Sequence, residues 1–298
     1  MNKEQLENLR KKARNIYLYG YLMTLIICII LGLYTKSIFP TFIALIIGIV
    51  LTTLFAAKPT PTFVKAYKEL FVLKSLQSIF TDLVYEPEKG IDEDTIRETK
   101  MLYMGDSFSS NDYISGKYKN INVVASDIHI QKEEERTDND GNTETYWITI
   151  FLGRWMIFDF NKNFKANIQI CEKGFQNAMI SNWGQTTKYK KVTMEDESFN
   201  RIFKVYAQSE HEAFYIITPS LMEKLKTIAN KSDGNLLFCF IDNKLHVGLA
   251  NNKDSFEHSV FTKIDEEKII KEVTSEIKMI TDFVDELNLD NDLFKTEV

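Results

Sequence analysis

Two stretches of the chain, Ile16–Tyr34 and Phe39–Ala57, contain no charged side chain, and only Thr35, Lys36, Ser37 and Ile38 separate them. Each is about 19 residues long, which at roughly 1.5 Å per helical residue matches a hydrocarbon core roughly 30 Å thick. A connection this short forces two such helices to run antiparallel. A secretory signal peptide would have a shorter apolar run ending in a small-residue cleavage site, and no second run would follow it at once. The pattern predicts a transmembrane helical hairpin over residues 1–58 and a separate domain over residues 59–298.

Charge sets the expected orientation. Residues 1–58 carry seven basic side chains against two acidic ones, a net +5, so the total of −6 leaves −11 for the remainder. Lys3, Arg10, Lys11, Lys12 and Arg14 precede the first stretch, Lys58, Lys65, Lys68 and Lys74 follow the second, and the turn has Lys36 alone. The positive-inside rule then places both termini, and the domain, in the cytoplasm. Neither stretch carries an ionisable residue, which removes the usual mark of an ion path and makes the hairpin an anchor. Ala44 and Gly48 form a small-xxx-small pair of the kind that allows close helix approach. The lipid bilayer is thus the expected partner. Nucleic acid is excluded, because a domain at −11 repels a phosphate backbone.

Beyond Pro59 the periodicity changes twice. Phe63, Tyr67, Leu70, Leu73, Leu76, Phe80, Leu83 and Val84 recur at three- and four-residue spacing, predicting an amphipathic helix. From about 116 to 171 the period is two: strands are expected around 121–123, 128–130, 146–150, 154–160 and 164–171, with a turn at Thr137–Thr143. A strand follows at 188–194. Thr218-Pro219-Ser220 opens a helix to about Asn230, with Ser220 and Glu223 resembling a capping box. Leu236–Ile241 and Lys244–Ala250 flank Asp242-Asn243 as a hairpin. Residues 265–288 place Ile270, Val273, Ile277, Ile280, Val284 and Leu287 in a/d alternation, which serves either core packing or a homo-oligomer seam. Strand runs between helices give an α+β fold class of mainly antiparallel sheet with packed helices.

No catalytic motif survives inspection. Gly105-Asp106-Ser107 resembles a serine-hydrolase nucleophile block, but Asp254 and His258 have the wrong spacing for its acid and base. Asp138-Asn139-Asp140-Gly141 resembles the start of a calcium loop, yet positions one and twelve would be Arg136 and Trp147. Glu210-His211-Glu212 lacks the second histidine of a zinc site, so no metal is assigned. The chain has only 12 glycines and no phosphate-cradling loop, and no cofactor is expected. Cys28, Cys171 and Cys239 show neither metal spacing nor a disulfide framework.

Several blocks do form a pattern. Phe151-Leu152-Gly153-Arg154-Trp155-Met156-Ile157-Phe158-Asp159-Phe160-Asn161-Lys162-Asn163-Phe164 resembles the FxGxxxxxDFNKxF core of the bacterial domain-of-unknown-function family numbered 3137. The Glu195-x-x-x-Phe199-x-x-x-Phe203-x-Val205-Tyr206 and Glu212-Ala213-x-Tyr215-Ile216-x-Thr218-Pro219-Ser220-Leu221-Met222-Glu223 blocks resemble its later parts. Tyr85-x-Pro87-x-Lys89-Gly90-Ile91 and Asp112-Tyr113-x-Ser115-Gly116-x-Tyr118 are similar to it upstream. The resemblance spans roughly residues 65–290. It implies two N-terminal spans, a cytoplasmic domain and a bacterial plasma-membrane location, and it implies no reaction, substrate or cofactor.

Read physically, the core block is two strands meeting at Asn161-Lys162-Asn163, with Phe158, Phe160 and Phe164 in the core and polar groups at the turn. The candidate binding residues are Trp155, Asp159, Asn161, Lys162, Glu195, Glu212, Thr218 and Ser220, and no catalytic residue is assigned. Thr218 begins a helix whose amides either receive an anion or are capped locally. The expected function is a membrane-anchored, non-enzymatic binding or scaffold protein that docks a protein partner at the inner face of the membrane. The alternative is an enzyme of unrecognised type, with carboxylates of the Asp159 and Glu195 blocks converging on a membrane-proximal substrate.

Overall fold

The computed structural model describes residues 1–137, 141, 143–159, 166–175, 189–287 and 289. They fall into two compact units: Met1–Ser75 with Phe256–Thr274, and Leu76–Ser255 with Ser275–Val298. In chain order the helices of the first half are α1 (Lys3–Thr35), α2 (Ile38–Ala56), α3 (Pro59–Tyr67), α4 (Leu73–Gln77) and α5 (Glu93–Glu98). The strands there are β1 (Thr81–Glu86), β2 (Ser107–Tyr118), β3 (Ile121–Thr137) and β4 (Thr143–Asp159). Then follow β5 (Ile168–Glu172), β6 (Lys190–Val192), α6 (Glu197–Ile202), β7 (Phe203–Ala207), α7 (Glu210–Ile216), α8 (Pro219–Lys231), β8 (Asn235–Ile241), β9 (Lys244–Ala250) and α9 (Glu266–Leu287).

In the first unit, α1 starts well before its apolar stretch. Asn2 caps it, accepting from the Gln5 amide at 2.9 Å while the Gln5 side chain accepts from the Asn2 amide at 3.0 Å. Lys36, in the left-handed region at φ 50°, closes the helix by donating its amide to the Gly32 carbonyl. Both α1 and α2 are long and apolar enough to cross a membrane, and only 11% and 6% of their most apolar windows are buried. A core helix of a soluble protein would be mostly buried, so this exposure of apolar side chains matches a lipid-facing pair.

The two helices meet through a reciprocal notch. A Cβ on Gly20 would overlap the Thr52 side chain, and one on Gly48 would overlap Thr24. Each threonine is buried and donates its hydroxyl to the carbonyl four residues back, Thr24 to Gly20 at 2.8 Å and Thr52 to Gly48 at 2.7 Å. The threonines therefore spend their donors within their own helix, and the glycines give the space their methyls fill. The contact partner of Gly48 is Thr24, so the working pattern is Gly-xxx-Thr in both helices.

The helix expected from Phe63 to Val84 stops early. α3 runs through a π turn at Lys68–Val72 into α4, which ends at Gln77, and Thr81–Glu86 is strand β1. Pairing with β2, at Val84↔Ser115 and Tyr85↔Ile114, overrides the helical period there.

The second unit is built on one nine-stranded antiparallel sheet of order β1-β2-β3-β4-β9-β8-β5-β7-β6. The expected β8–β9 hairpin is present; Asp242 and Asn243, at φ 48° and 60°, make the turn with both central residues left-handed. The strands expected at 146–150 and 154–160 are one continuous strand, β4. It does not pair with β5: β9 and β8 lie between them, so the core block is not a hairpin. Phe158 is fully buried as expected, while Phe160, Asn161, Lys162, Asn163 and Phe164 lie outside the described residues, as do Asp138, Asn139 and Asp140.

Both faces of the central strands are covered. On one face Trp155, Ile157, Leu237, Cys239 and Ile241 pack with Ile91, Ile96, Met101, Leu102 and Met104 from the segment around α5. On the other, Phe158 and Phe238 place their rings 6.1 and 6.4 Å from Phe283 of α9. Double coverage explains why β8 reads as an unbroken apolar run. In α9, Val273, Ile277, Ile280, Val284 and Leu287 are buried within the chain, whereas Ile270 is exposed and Ile269 is buried in its place. The stripe therefore serves core packing.

One ion pair lies inside this sheet. Asp127 of β3 and Arg154 of β4 are direct cross-strand partners, both almost fully buried, with Nε and Nη2 donating at 2.8 and 3.0 Å. The Ser255 amide also donates to Asp127, at 2.7 Å.

Replacing Gly48 by Ile should destabilise the helix pair by roughly 1–3 kcal/mol through overpacking. Unfolding of the full chain in mixed detergent, followed by circular dichroism, would register the loss, and adding Thr24→Gly should recover part of it. Asp127→Ala strands the Arg154 charge and should cost roughly 3–5 kcal/mol. Urea denaturation at neutral pH measures it, and a loss below 1 kcal/mol would contradict the assignment.

Candidate functional site

Burial sets the state of the nucleophile-type side chains in the second unit. Cys171 and Cys239 are buried on β5 and β8, and burial pushes both thiols far above their ordinary range, so neither is a thiolate nucleophile at neutral pH. His246 of β9 is also buried, and desolvation, with Lys244 adding to it, pushes its pKa down to about 4. Its Nδ1 accepts from the Trp155 indole at 3.3 Å. The indole fits because Gly248, opposite Trp155 in the ladder, has no side chain; a Cβ there would sit 2.7 Å from the ring. Trp155 is thus a core residue whose N–H is satisfied internally.

The other residues singled out from the sequence sit on or beside four elements, β4, α6, α7 and α8. Asp159 ends β4 and accepts from Asn122 at 2.5 Å. Glu195 is exposed. Its neighbour Asp196 caps α6 and pairs with Lys226 at 2.7 Å, which holds that carboxyl below the usual range. Glu212 sits in the first turn of α7, where its amide donates to Ser209 Oγ at 3.3 Å. Thr218, and not Ser220, caps α8, accepting from the Leu221 amide at 3.3 Å. Ser220 is exposed in the first turn after Pro219.

Two of the clefts bordered by described residues bear on these side chains. One, of about 290 Å³, has Ile228, Leu249, Met279 and Phe283 in its walls and Lys231, Asp233, Lys278 and Glu286 among its polar residues. The other, of about 230 Å³, lies beside Phe151, Phe175 and Asn252. Neither is lined by Asp159, Glu195, Glu212, Thr218 or Ser220. Asp106 and Ser107 have structural duties: the Asp106 carboxylate accepts from the Glu133 amide at 2.9 Å, and Ser107 opens β2.

The feature the sequence reading missed is an arm. β2 last pairs with β3 at Gln131, and β9 first pairs with β4 at Arg154. Beyond those limits, Lys132–Thr137 and Thr143–Ile148 ladder with each other. Cross-strand partners share a face. Lys132, Glu134 and Tyr146 occupy one face and are tied together, with Glu134 accepting from Lys132 and from the Tyr146 hydroxyl at 3.0 Å each. Lys132 and then Tyr146 hold the Glu134 carboxyl below its ordinary range. The opposite face carries Glu133, opposite Trp147, and Glu135, opposite Thr145, with no basic side chain. Trp147 is 50% exposed. Its signal in the sequence was the Tyr146-Trp147 pair across the Thr137–Thr143 connection from three consecutive glutamates, Glu133–Glu135.

Residues 149–289 match the family model DUF3137, described as a protein of unknown function. The match covers slightly less than half of the chain and is a similarity of that stretch to the DUF3137 family. The match runs from within β4 to just past α9, so it contains the Gly153–Arg154 block, the Glu195 block and the Thr218 block. The Tyr85 and Asp112 blocks and the two apolar helices lie before it. No curated protein matches the chain. Among solved structures, the chain is similar to the crystal structure of the mycobacterial trehalose monomycolate transport factor A, TtfA. The identity is 11%, covering 76% of this chain and 94% of that one, with a TM-score of 0.38. A likeness at that score says nothing about what this chain does.

The buried histidine gives a pH test. Its folded pKa of about 4 lies below the ordinary 6.5, so the unfolded chain binds the extra proton in that window. His246 therefore contributes its full stability above pH 6.5 and loses it as pH falls toward 4, roughly 3 kcal/mol in all. Asp196 acts only lower, below its ordinary 3.8. Urea titrations of the full chain at pH 7 and pH 4.5 should show the drop, and His246→Gln, which keeps an acceptor for Trp155, should remove the larger part of it, leaving the share of His258, which desolvation also pushes below its ordinary value.

Proposed function

We propose that the chain is a non-enzymatic docking protein, held in the bacterial plasma membrane by α1 and α2, with both termini and residues 59–298 in the cytoplasm. The partner it receives is a protein with a basic surface, and the docking surface is the Glu133–Glu135–Trp147 face of the β3–β4 arm. The single observation that carries this reading is Trp147, half exposed beside Glu133 and Glu135 on a part of the ribbon that, among the described residues, neither β2 nor β9 joins. A rigid aromatic side chain among like charges is the composition of an interface anchor, with the carboxylates steering a basic partner toward it. That neither cleft is lined by the candidate polar residues, and that burial holds Cys171, Cys239 and His246 neutral, supports a non-enzymatic reading. The family description names no activity either.

Cross-linking in native membranes followed by mass spectrometry should recover one reproducible partner joined to the arm. Trp147→Ser should weaken that association by about 2 kcal/mol, roughly 30-fold, with the unfolding midpoint unchanged. If the partner's cross-links survive both Trp147→Ser and Glu133→Lys, the arm is not the docking surface. A reporter fused after Val298 should be active only as a cytoplasmic fusion; a periplasmic signal reverses the placement.

A further inference from the structure

Phe261 is 54% exposed, and the first unit holds it in place with unusual care. Its segment is tied down on both sides. Arg10, buried in α1, donates to the Val260 carbonyl at 2.8 Å, and Val260 is itself buried. Lys68 pairs with Glu257 at 2.6 Å. The His258 ring stacks on Tyr67, with centroids 5.1 Å apart and planes 18° from parallel. A turn then projects the phenylalanine, with the Phe261 amide donating to Ser259 Oγ at 3.2 Å and the Thr262 amide to the Ser259 carbonyl at 3.0 Å.

The direction of projection is given by Tyr17. The two rings are 5.8 Å apart, and Tyr17 is the second residue of the charge-free stretch of α1. Tyr17 in turn lies 6.0 Å from Tyr21, one helical turn deeper. Exposed lysines lie close by in the sequence on all three segments: Lys12 before the stretch, Lys58 at the foot of α2, and Lys263 two residues after Phe261. Aromatic rings flanked by lysines at the end of an apolar span are the composition of a membrane–water boundary.

We infer that Phe261 is a third membrane contact, its ring seated in the headgroup–acyl boundary beside Tyr17. The ligand is an anionic lipid surface, whose headgroups meet the adjacent lysines. The inference rests on the reading of α1 and α2 as membrane spans and adds to it a contact about 200 residues distant in sequence. It makes the segment after β9 part of the anchor. The polar neighbours Ser259 and Thr262 serve the turn and stay at the surface.

The test uses the full chain in vesicles of mixed phosphatidylglycerol and phosphatidylcholine, with Cys28→Ala to clear the half-buried background thiol. Nitroxides are placed singly through Phe261→Cys, Ile30→Cys and Asp94→Cys, and their collision rates with oxygen and with a water-soluble nickel chelate are compared. The oxygen-to-nickel ratio at position 261 should exceed that at position 94 several-fold and fall short of that at position 30. A ratio at 261 equal to that at 94, with 30 reading as lipid, overturns the inference while leaving the spans in place. A low ratio at 30 overturns the span reading itself. A label at 261 shielded from both reagents means that a protein covers the ring, and also overturns it. Should the cysteine variant fail to fold, Phe261→Trp answers the same question: its added fluorescence should be quenched at least twofold by lipids brominated near the headgroup, and absence of quenching overturns the inference.

Discussion

The buried pair of Asp127 and Arg154 constrains the sheet more than any other contact. Two charges removed from water are tolerable only when each is met in good geometry, and here the guanidinium is met by two bonds to one carboxylate. Because the residues are direct partners across β3 and β4, the pair admits one register for a ladder of two 17-residue strands. A one-residue slip would turn Trp155 and Phe158 to the wrong faces and leave an uncompensated ion in the core. The Ser255 amide reads the same carboxylate, so the chain leaving β9 is fixed by that choice as well. Gly153 and Gly248 flank the arrangement, and each would collide with a neighbour if it carried a side chain.

In the doubly covered sheet, the thiols of Cys171 and Cys239 and the imidazole of His246 are held in their neutral forms by burial. What reaches solvent is at the margins, above all the part of the β3–β4 ribbon that runs past its neighbours. Among the described residues, neither β2 nor β9 pairs with that outer part of the ribbon.

Much of this was legible because it is local. The two apolar stretches, the Asp242-Asn243 turn and the helix opened by Thr218 and Pro219 each depend on residues within a few positions. The misreadings have a common cause in distant contacts. Leu83 and Val84 continue the helical spacing of Phe63–Phe80, yet their strand is decided by pairing with β2, some 30 residues on. Trp155 looked like a recognition residue because nothing nearby in sequence reveals Gly248, which vacates its space. β4 and β5 looked like a hairpin because the strands inserted between them, β9 and β8, come about 70 residues later. The arm escaped notice because alternation signals a strand but is silent on whether a third strand will join it.

The notch between α1 and α2 also fixes what the anchor can do mechanically. Gly20 faces Thr52 and Thr24 faces Gly48, in antiparallel register. Sliding one helix by a turn in one direction would bring Thr24 against Thr52, two side chains into the space of one. Sliding it the other way would bring Gly20 against Gly48 and leave a void where two methyls had been. Neither displacement has a comfortable intermediate, so the pair resists piston motion in both senses. Whatever signal reaches the domain, the helices act as a fixed strut and do not transmit it by sliding.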